Sequence, residues 1–373
     1  MRTTSATDPD VAGTGDAPVN GGVDAYRRRH RGRTRTVLLL LVPLVLASLW
    51  ALLVGGASHG MRESWDALLA GLTGSGGTEV DLIQRIVWQL RVPRMAMAVI
   101  GGMALALAGM LMQTVLRNPL ASPYTLGIAS AASFGAAFAI ILRSSVLTIW
   151  GNVPYDWIIV TNAFVFAFIA TAVVYLLARV QRVTPETIVL LGIAMMFLFS
   201  ALTALLQYLG DPDQMAELAY WMFGSLNRAT WTKLAITAAV GLVGVGLASR
   251  WTWDLNALMA DDDTARSAGI DVSRRRLQAL ALASLLTATV VSFLGPIGFI
   301  GLVAPHLGRM LVGADHRALL PTSLLLGAIV LVLADIAART LAAPVTIPVG
   351  ILTAFVGVPT LMFLMMRRTK EHW

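Results

Sequence analysis

The chain contains no cysteine, which excludes a disulfide framework, a thiolate metal site and a cysteine nucleophile together. Lysine is nearly absent as well. Lys233 and Lys370 each follow a threonine, so there is no Gly-Lys pair and no phosphate-cradling P-loop in this polypeptide; ATP, if used, is bound by another subunit. The five histidines, at 30, 59, 306, 316 and 372, include no pair spaced four apart around a glutamate, so no metal-ligand helix is visible. A hydrolase would need a nucleophile and base in register, and only scattered serines and His306 are on offer. Charge is sparse too, at 13% of 373 residues against 57% apolar. A membrane-spanning helix consumes roughly 20 predominantly apolar residues, so about ten spans are supplied. The chain reads as an all-α integral membrane protein.

The net charge of +7 is unevenly placed. Arg27, Arg28, Arg29, Arg31, Arg33 and Arg35 stand directly before an apolar run that starts at Thr36, and the Gly-, Asp-, Thr- and Ala-rich stretch ahead of them lacks the hydrophobic mass to fold. Residues 1–35 are therefore expected to be a disordered, Arg-rich cytoplasmic tail, an anchor for the first span rather than a nucleic-acid surface. Residues 36–366 form the transmembrane domain, and 367–373 a second cytoplasmic tail. Spans are expected near 36–57, 94–115, 123–142, 157–178, 186–209, 231–249, 277–294, 297–312, 318–341 and 346–366. With the N-terminus inside, 20 of the 28 Lys and Arg residues fall on the inner side. Both termini are then cytoplasmic.

In the second span Ala98, Gly102 and Ala106 recur every four positions, a stripe that lets helix backbones approach where lipid gives no hydrophobic push. Gln113, near that span's inner end, needs a partner in so apolar a setting, most simply an interhelical one. The segment Arg117-Asn118-Pro119-Leu120-Ala121-Ser122-Pro123 reads as a defined turn, because each proline drives its predecessor out of helix. The longest inner connection, 250–276, holds Asp254, Asp261, Asp262, Asp263, Arg266 and Asp271. Aspartates ahead of Thr264 to Ala268 can accept from free helix N–H groups, and Gly269 can close the last turn; a short capped helix outside the bilayer follows, or else a solvated linker. Pro305 and His306, then Pro348, Gly350, Gly357 and Pro359, punctuate the last spans and permit bends or simple packing. Asp335 and Arg339, four apart, can neutralise each other on one helix face. Asp335 is also the one intramembrane acid that an ion-coupled secondary transporter would use.

Taken together the motifs resemble the FecCD family, the permease subunits of bacterial type II ABC importers for ferric siderophores, haem and cobalamin. The resemblance covers roughly 36–366. It rests on RVPR at 91–94, Gly109 to Gln113 leading into RNPLASPYTLG at 117–127, LLGIA at 190–194 and WMFGSL at 221–226. LNAL at 255–258, TARSAG at 264–269, GPIGFIGLVAPHLGR at 295–309, DHRALLP at 315–321, AD at 334–335 with Arg339, and PVGILTA at 348–354 follow in order.

The resemblance implies a type II importer permease fold, not itself an enzyme, in the bacterial cytoplasmic membrane. It implies that Leu255, Asn256, Leu258, Asp261, Asp262, Thr264, Ala265, Arg266 and Gly269 belong to coupling helices that meet an ATPase. Arg91, Arg94 and Arg339 would meet carboxylates of an extracytoplasmic substrate-binding lipoprotein, as guanidinium groups suit such contacts. Leu190, Leu191, Gly192, Met195, Ser200, Gly350, Thr353 and Phe355 would line the pathway, with Gln113, Arg117, Asn118, Pro119, Pro305 and His306 in the loop and gating elements. No cofactor is expected in this chain; ATP and magnesium belong to two partner ATPase subunits, and a second permease, the same chain or a sibling, completes the pore. The chain departs from the family pattern at Thr346, where glutamate is common, at Thr360, where an aromatic is usual, and at Ala260-Asp261. An iron-siderophore is the expected cargo, with haem and cobalamin the alternatives.

Overall fold

A computed structural model describes residues 19–54, 60–73, 80–143, 153–181 and 185–368. Among the described residues all regular structure is helical. The first helix, α1 (Val19–Leu53), is followed by α2 (Met61–Thr73) and α3 (Val80–Arg85), and α3 runs through a π-helical turn at Ile86–Arg91 into α4 (Val92–Val115). Next come α5 (Ile128–Leu142), α6 (Tyr155–Gln181), α7 (Pro185–Leu209), α8 (Pro212–Met222) and α9 (Trp231–Arg250). The chain continues with α10 (Thr252–Ala260), α11 (Asp262–Ser267), α12 (Val272–Leu294), α13 (Ile300–Val312), α14 (His316–Thr340) and α15 (Val349–Arg368).

All ten expected spans are present, as α1, α4 to α7, α9 and α12 to α15. Seven of the described helical stretches are long and apolar enough to cross a bilayer, while α5, α13 and α15 contribute shorter apolar segments. The expected tail boundary at 35 is overtaken, because α1 is already helical from Val19. Arg33 gains an intramolecular partner there, Asp315, at 2.9 Å, which a free tail would not have. Residues 1–18 and 369–373 lie outside the described residues. The expected helix at 123–142 is broken by a 3-10 turn, Pro123–Leu126, which Gly127 ends at φ +74° before α5 begins. Ser122 is extended, as the proline after it requires.

Helix α4 is the hub, buried along most of its length against α9, α12, α13 and α14. The small-residue stripe explains how neighbours come so close. A Cβ at Gly102 would stand 2.4 Å from the Gly327 carbonyl oxygen of α14, and one at Gly109 only 1.7 Å from the Gly301 oxygen of α13. Packing of this kind is how helices associate in lipid. By contrast, Leu38, Leu39, Val42, Leu46 and Trp50 of α1 lie exposed, which suits acyl chains rather than water.

Candidate functional site

Two ends of the bundle carry the polar chemistry. At one, α10 and α11 form a platform under α4, α12 and α14. The platform is built by caps and anchors: Asp261 accepts from the Thr264 backbone N–H and hydroxyl, both at 2.6 Å, and Gly269 leaves α11 with φ +79°. The capped helix expected here is therefore formed. Those bonds, the Thr264 hydroxyl first, also hold the Asp261 carboxyl below its ordinary range. Leu255, Leu258 and Ala265 are fully buried against the spans. Asp261, Thr264, Arg266 and Gly269 face outward, with the Arg266 side chain 61% exposed and paired to Asp263 at 2.8 Å.

Asp262 is one of the platform's ionic ties, beside Asp254, which pairs with Arg275 of α12 at 2.7 Å. Asp262 binds Arg117 of the 117–123 turn and Arg276 of α12, the latter at 3.0 Å. Arg117 also donates to the Leu258 oxygen at 2.8 Å, and Arg276 to the Val115 oxygen at 3.2 Å. The turn itself is locked by Asn118, whose side-chain oxygen accepts from the Leu120 N–H at 2.9 Å, with Pro119 between them. Next to it, Gln113 makes the interhelical bonds its setting demanded: its amide donates to the Leu302 oxygen at 3.2 Å and its oxygen accepts from Arg309. Pro305 is buried within α13 and His306 is half-buried beside it.

At the opposite end the three outer arginines are engaged within the chain. Arg91 donates to the Leu52 oxygen at 3.2 Å and to the Ser64 hydroxyl at 2.9 Å, and Arg339 donates to the Ala51 and Val54 oxygens, each at 2.9 Å. These are the carbonyls left unpaired where α1 ends, so the two guanidinium groups cap that helix. Arg94 pairs with Asp335 at 2.8 Å and donates to Asn227. Arg339 also pairs with Asp335 at 3.0 Å, so the expected self-pairing along α14 is present with a second cation added. Arg91 and Arg339 are buried, while Arg94 is half-buried.

Between the ends, the expected pathway residues divide by helix face. Leu190 (64% exposed), Ser200 and Phe355 (73% exposed) lie on open faces of α7 and α15, and Leu191 is half-buried. Gly192 does not line an opening: a Cβ there would lie 2.3 Å from the Thr125 oxygen, so it seats α7 against the 3-10 turn. Met195 packs beside the cluster of Ala131, Ala170 and Phe199. Thr353 is buried and donates to the Gly350 oxygen at 3.0 Å.

Gly350 sits at a three-way backbone junction that the sequence reading missed. Its Cβ position is 2.3 Å from the Phe223 oxygen and 2.8 Å from the Pro296 oxygen, and Gly224 and Gly295, with φ of +68° and +79°, face each other across the same point. Ser225 N–H donates to the Leu294 oxygen at 2.7 Å to close it. An open, mostly apolar depression of about 630 Å³ lies on this junction, lined by Met222, Phe223, Pro296, Gly298, Ile351 and Phe355 among others. Non-helical backbone inside a membrane is tolerated where it is buried in protein or lines a cavity, and the 295–299 segment, with Phe299 at φ +66°, does both. Glycines recurring at 224, 295, 298 and 350 were the available signal.

A family model, the FecCD transport family, matches residues 41–367. The chain belongs to that family. A protein named as an ABC transporter permease from Methanocaldococcus jannaschii is 44% identical over 339 residues, covering 90% of this chain and 95% of its own. The hemin transport system permease of Yersinia pestis is 34% identical over 344 residues, covering 91% and 99%. Among solved structures, a metal-chelate type ABC transporter in an inward-facing conformation superposes with a TM-score of 0.76 at 30% identity, covering 90% of this chain and 99% of that one. This FecCD protein is thus a multi-pass ABC importer permease of the metal-chelate type, a transport subunit that works within a complex of permease and ATPase partners. Relatives of comparable similarity are named for hemin, cobalamin and ferric citrate, so kinship leaves the cargo open.

Proposed function

We propose that this chain is the membrane subunit of an importer that moves an iron-siderophore complex into the cytoplasm, with both termini on the cytoplasmic side of a bacterial inner membrane. Two copies, or this chain and a sibling, flank one pathway. Two ATPase subunits carrying ATP and magnesium press on α10 and α11, and an extracytoplasmic lipoprotein delivers cargo at the opposite end. The observation that carries the reading is the α10–α11 platform: a capped, partly solvent-facing helix pair whose buried residues and Asp262 ion pairs bind it to α4 and α12. A surface so tethered passes displacement into the spans instead of absorbing it.

The apolar depression at the glycine junction supports a chelated metal as cargo. Its side walls carry no cation to compensate a bare oxyanion, whereas a metal already enclosed by an organic chelator presents a larger, softer surface. The ion-coupled alternative is disfavoured because Asp335 already holds two arginine partners, so it is not the uncompensated acid that proton coupling wants.

The test is uptake into proteoliposomes holding the permease with its ATPase and binding protein, fed in parallel with a ferric siderophore, hemin or cobalamin. ATP-dependent accumulation of the siderophore above the other two is expected. Preferential uptake of hemin or cobalamin would replace the cargo; uptake without ATP that collapses with the proton gradient would replace the mechanism.

A further inference from the structure

One polar chain, half-buried at Asp315 and wholly buried at His316 and Thr114, joins the platform to the spans. It begins at Asp315, the N-cap of α14, where Arg33 of α1 donates at 2.9 Å and Arg317 at 2.9 and 3.2 Å. The Asn256 amide of α10 donates to the same carboxylate at 3.1 Å. The Asn256 side-chain oxygen in turn accepts from the His316 backbone N–H at 2.9 Å and faces His316 Nδ1 at 2.7 Å. On the far side of the ring, His316 Nε2 is 2.7 Å from the Thr114 hydroxyl of α4, which has a second neighbour, the Met110 oxygen, at 2.8 Å. A neutral ring with its proton on Nδ1 donates to Asn256 and accepts the single Thr114 hydroxyl proton in place of that hydroxyl's bond to the Met110 oxygen. His316 and Thr114 are both wholly buried.

The bland account of a buried histidine is a satisfied core residue, yet this one is placed differently. Its two nitrogens are held by two different elements, one in the platform and one in the central helix, and its backbone begins a third. Leu255 and Leu258 also press α10 on the bundle, but apolar contact is non-directional and lets one surface slide over another. Hydrogen bonds shielded from water fix direction and register. Arg33 lies ahead of the family-matched region, so α1 joins at Asp315 through a residue outside that region.

We propose that His316 is a positioning residue for coupling: with Asn256 and Thr114 it locks α10 to α4 and α14, so that displacement of the platform is delivered to the spans in register. This rests on the importer reading above. The decisive variant is Thr114→Val, which keeps volume and removes one hydroxyl, with His316→Ala and His316→Asn beside it and the Thr114→Val/His316→Ala double variant to test shared action. Cargo moved per ATP hydrolysed is measured in proteoliposomes of the complete complex, with melting temperature and detergent gel filtration reporting the fold. Thr114→Val is expected to hydrolyse ATP at close to the parent rate while cargo per ATP falls about 2- to 30-fold, the range for residues that tune coupling between sites. His316→Asn, keeping a group that can face Asn256, should fall less than His316→Ala, and the double variant should be no worse than the worse single one. Parent-like cargo per ATP in folded Thr114→Val overturns the proposal, whatever His316→Ala does. A parent complex that hydrolyses ATP but moves no cargo would instead overturn the importer reading, and is recognised without any variant.

Discussion

Asp335 and Arg94 meet at 2.8 Å across the α4–α14 contact, with Asp335 only 1% exposed and Arg339 completing the group from one turn further along α14. Removing one partner from such a buried set leaves uncompensated charge, which costs about 3–5 kcal/mol. Asp335→Ala, stranding two arginines, should therefore lower thermal stability in detergent markedly, while Arg94→Lys should be milder because one charge is retained. A melting curve for Asp335→Ala that overlays the parent would refute this.

Arg91→Glu places an anion among the α1 carbonyls at Leu52 and Leu53. Its expected result is loss of folded protein, visible as aggregation on gel filtration. A well-folded variant with weakened affinity for the binding protein would support the docking role and count against the capping role.

The glycine junction separates two neighbouring residues. Gly350→Ala drives a methyl group into two carbonyl oxygens, whereas Gly298, in the same depression, has nothing within 4 Å of its Cβ position. The first should cost about 1–3 kcal/mol through overpacking and depress transport. The second should stay within about 0.5 kcal/mol of the parent, as substitutions in open space do. Equal effects, read by melting and uptake together, would show that the close approach is unimportant.

Gln113→Leu removes the bridge between the Leu302 oxygen and Arg309. Losing these two buried hydrogen bonds costs about 1–3 kcal/mol, so this variant should melt below the parent even though leucine is the better match for lipid.

Asp315 sets an acid limit. The Arg317 side chain, ahead of the Asn256 amide and the Arg317 backbone N–H, holds its carboxyl far below the usual range, against an opposing effect of burial. A group whose folded value is depressed contributes stability that is fully present above its unfolded value, roughly pH 4, and lost as pH falls towards the folded one. Melting temperature should thus begin to fall below about pH 4, and Asp315→Asn should be less stable at neutral pH with a flatter acid limb. An unchanged acid limb would remove Asp315 as its source.

The legible parts of this fold were those with a local cause. Ten apolar runs became ten helices, Asp261 and Gly269 bracketed α11 as their chemistry required, and Ala98, Gly102 and Ala106 packed as a stripe should. What the residues alone did not disclose depended on distant pairing. Arg91 and Arg339 reach carbonyls on α1 that no spacing rule connects to them, and His316 gains meaning only when Asn256 and Thr114, far away in the chain, are brought to its two nitrogens. The helical extension ahead of Thr36 was hidden for a different reason: its composition is that of a chain without a core of its own, and Arg33 finds its partner on another helix. Gly192 and Thr353 make close contacts, with the Thr125 and Gly350 oxygens, that their residue types alone do not reveal.

The contact of Gly102 with Gly327 has a kinematic consequence. Two helices whose main chains interlock, with a carbonyl oxygen where a side chain would stand, cannot slip lengthwise past each other without prising apart. They act as one strut. A push that reaches either one therefore carries both, and any bending has to be taken up by the helices packed around them.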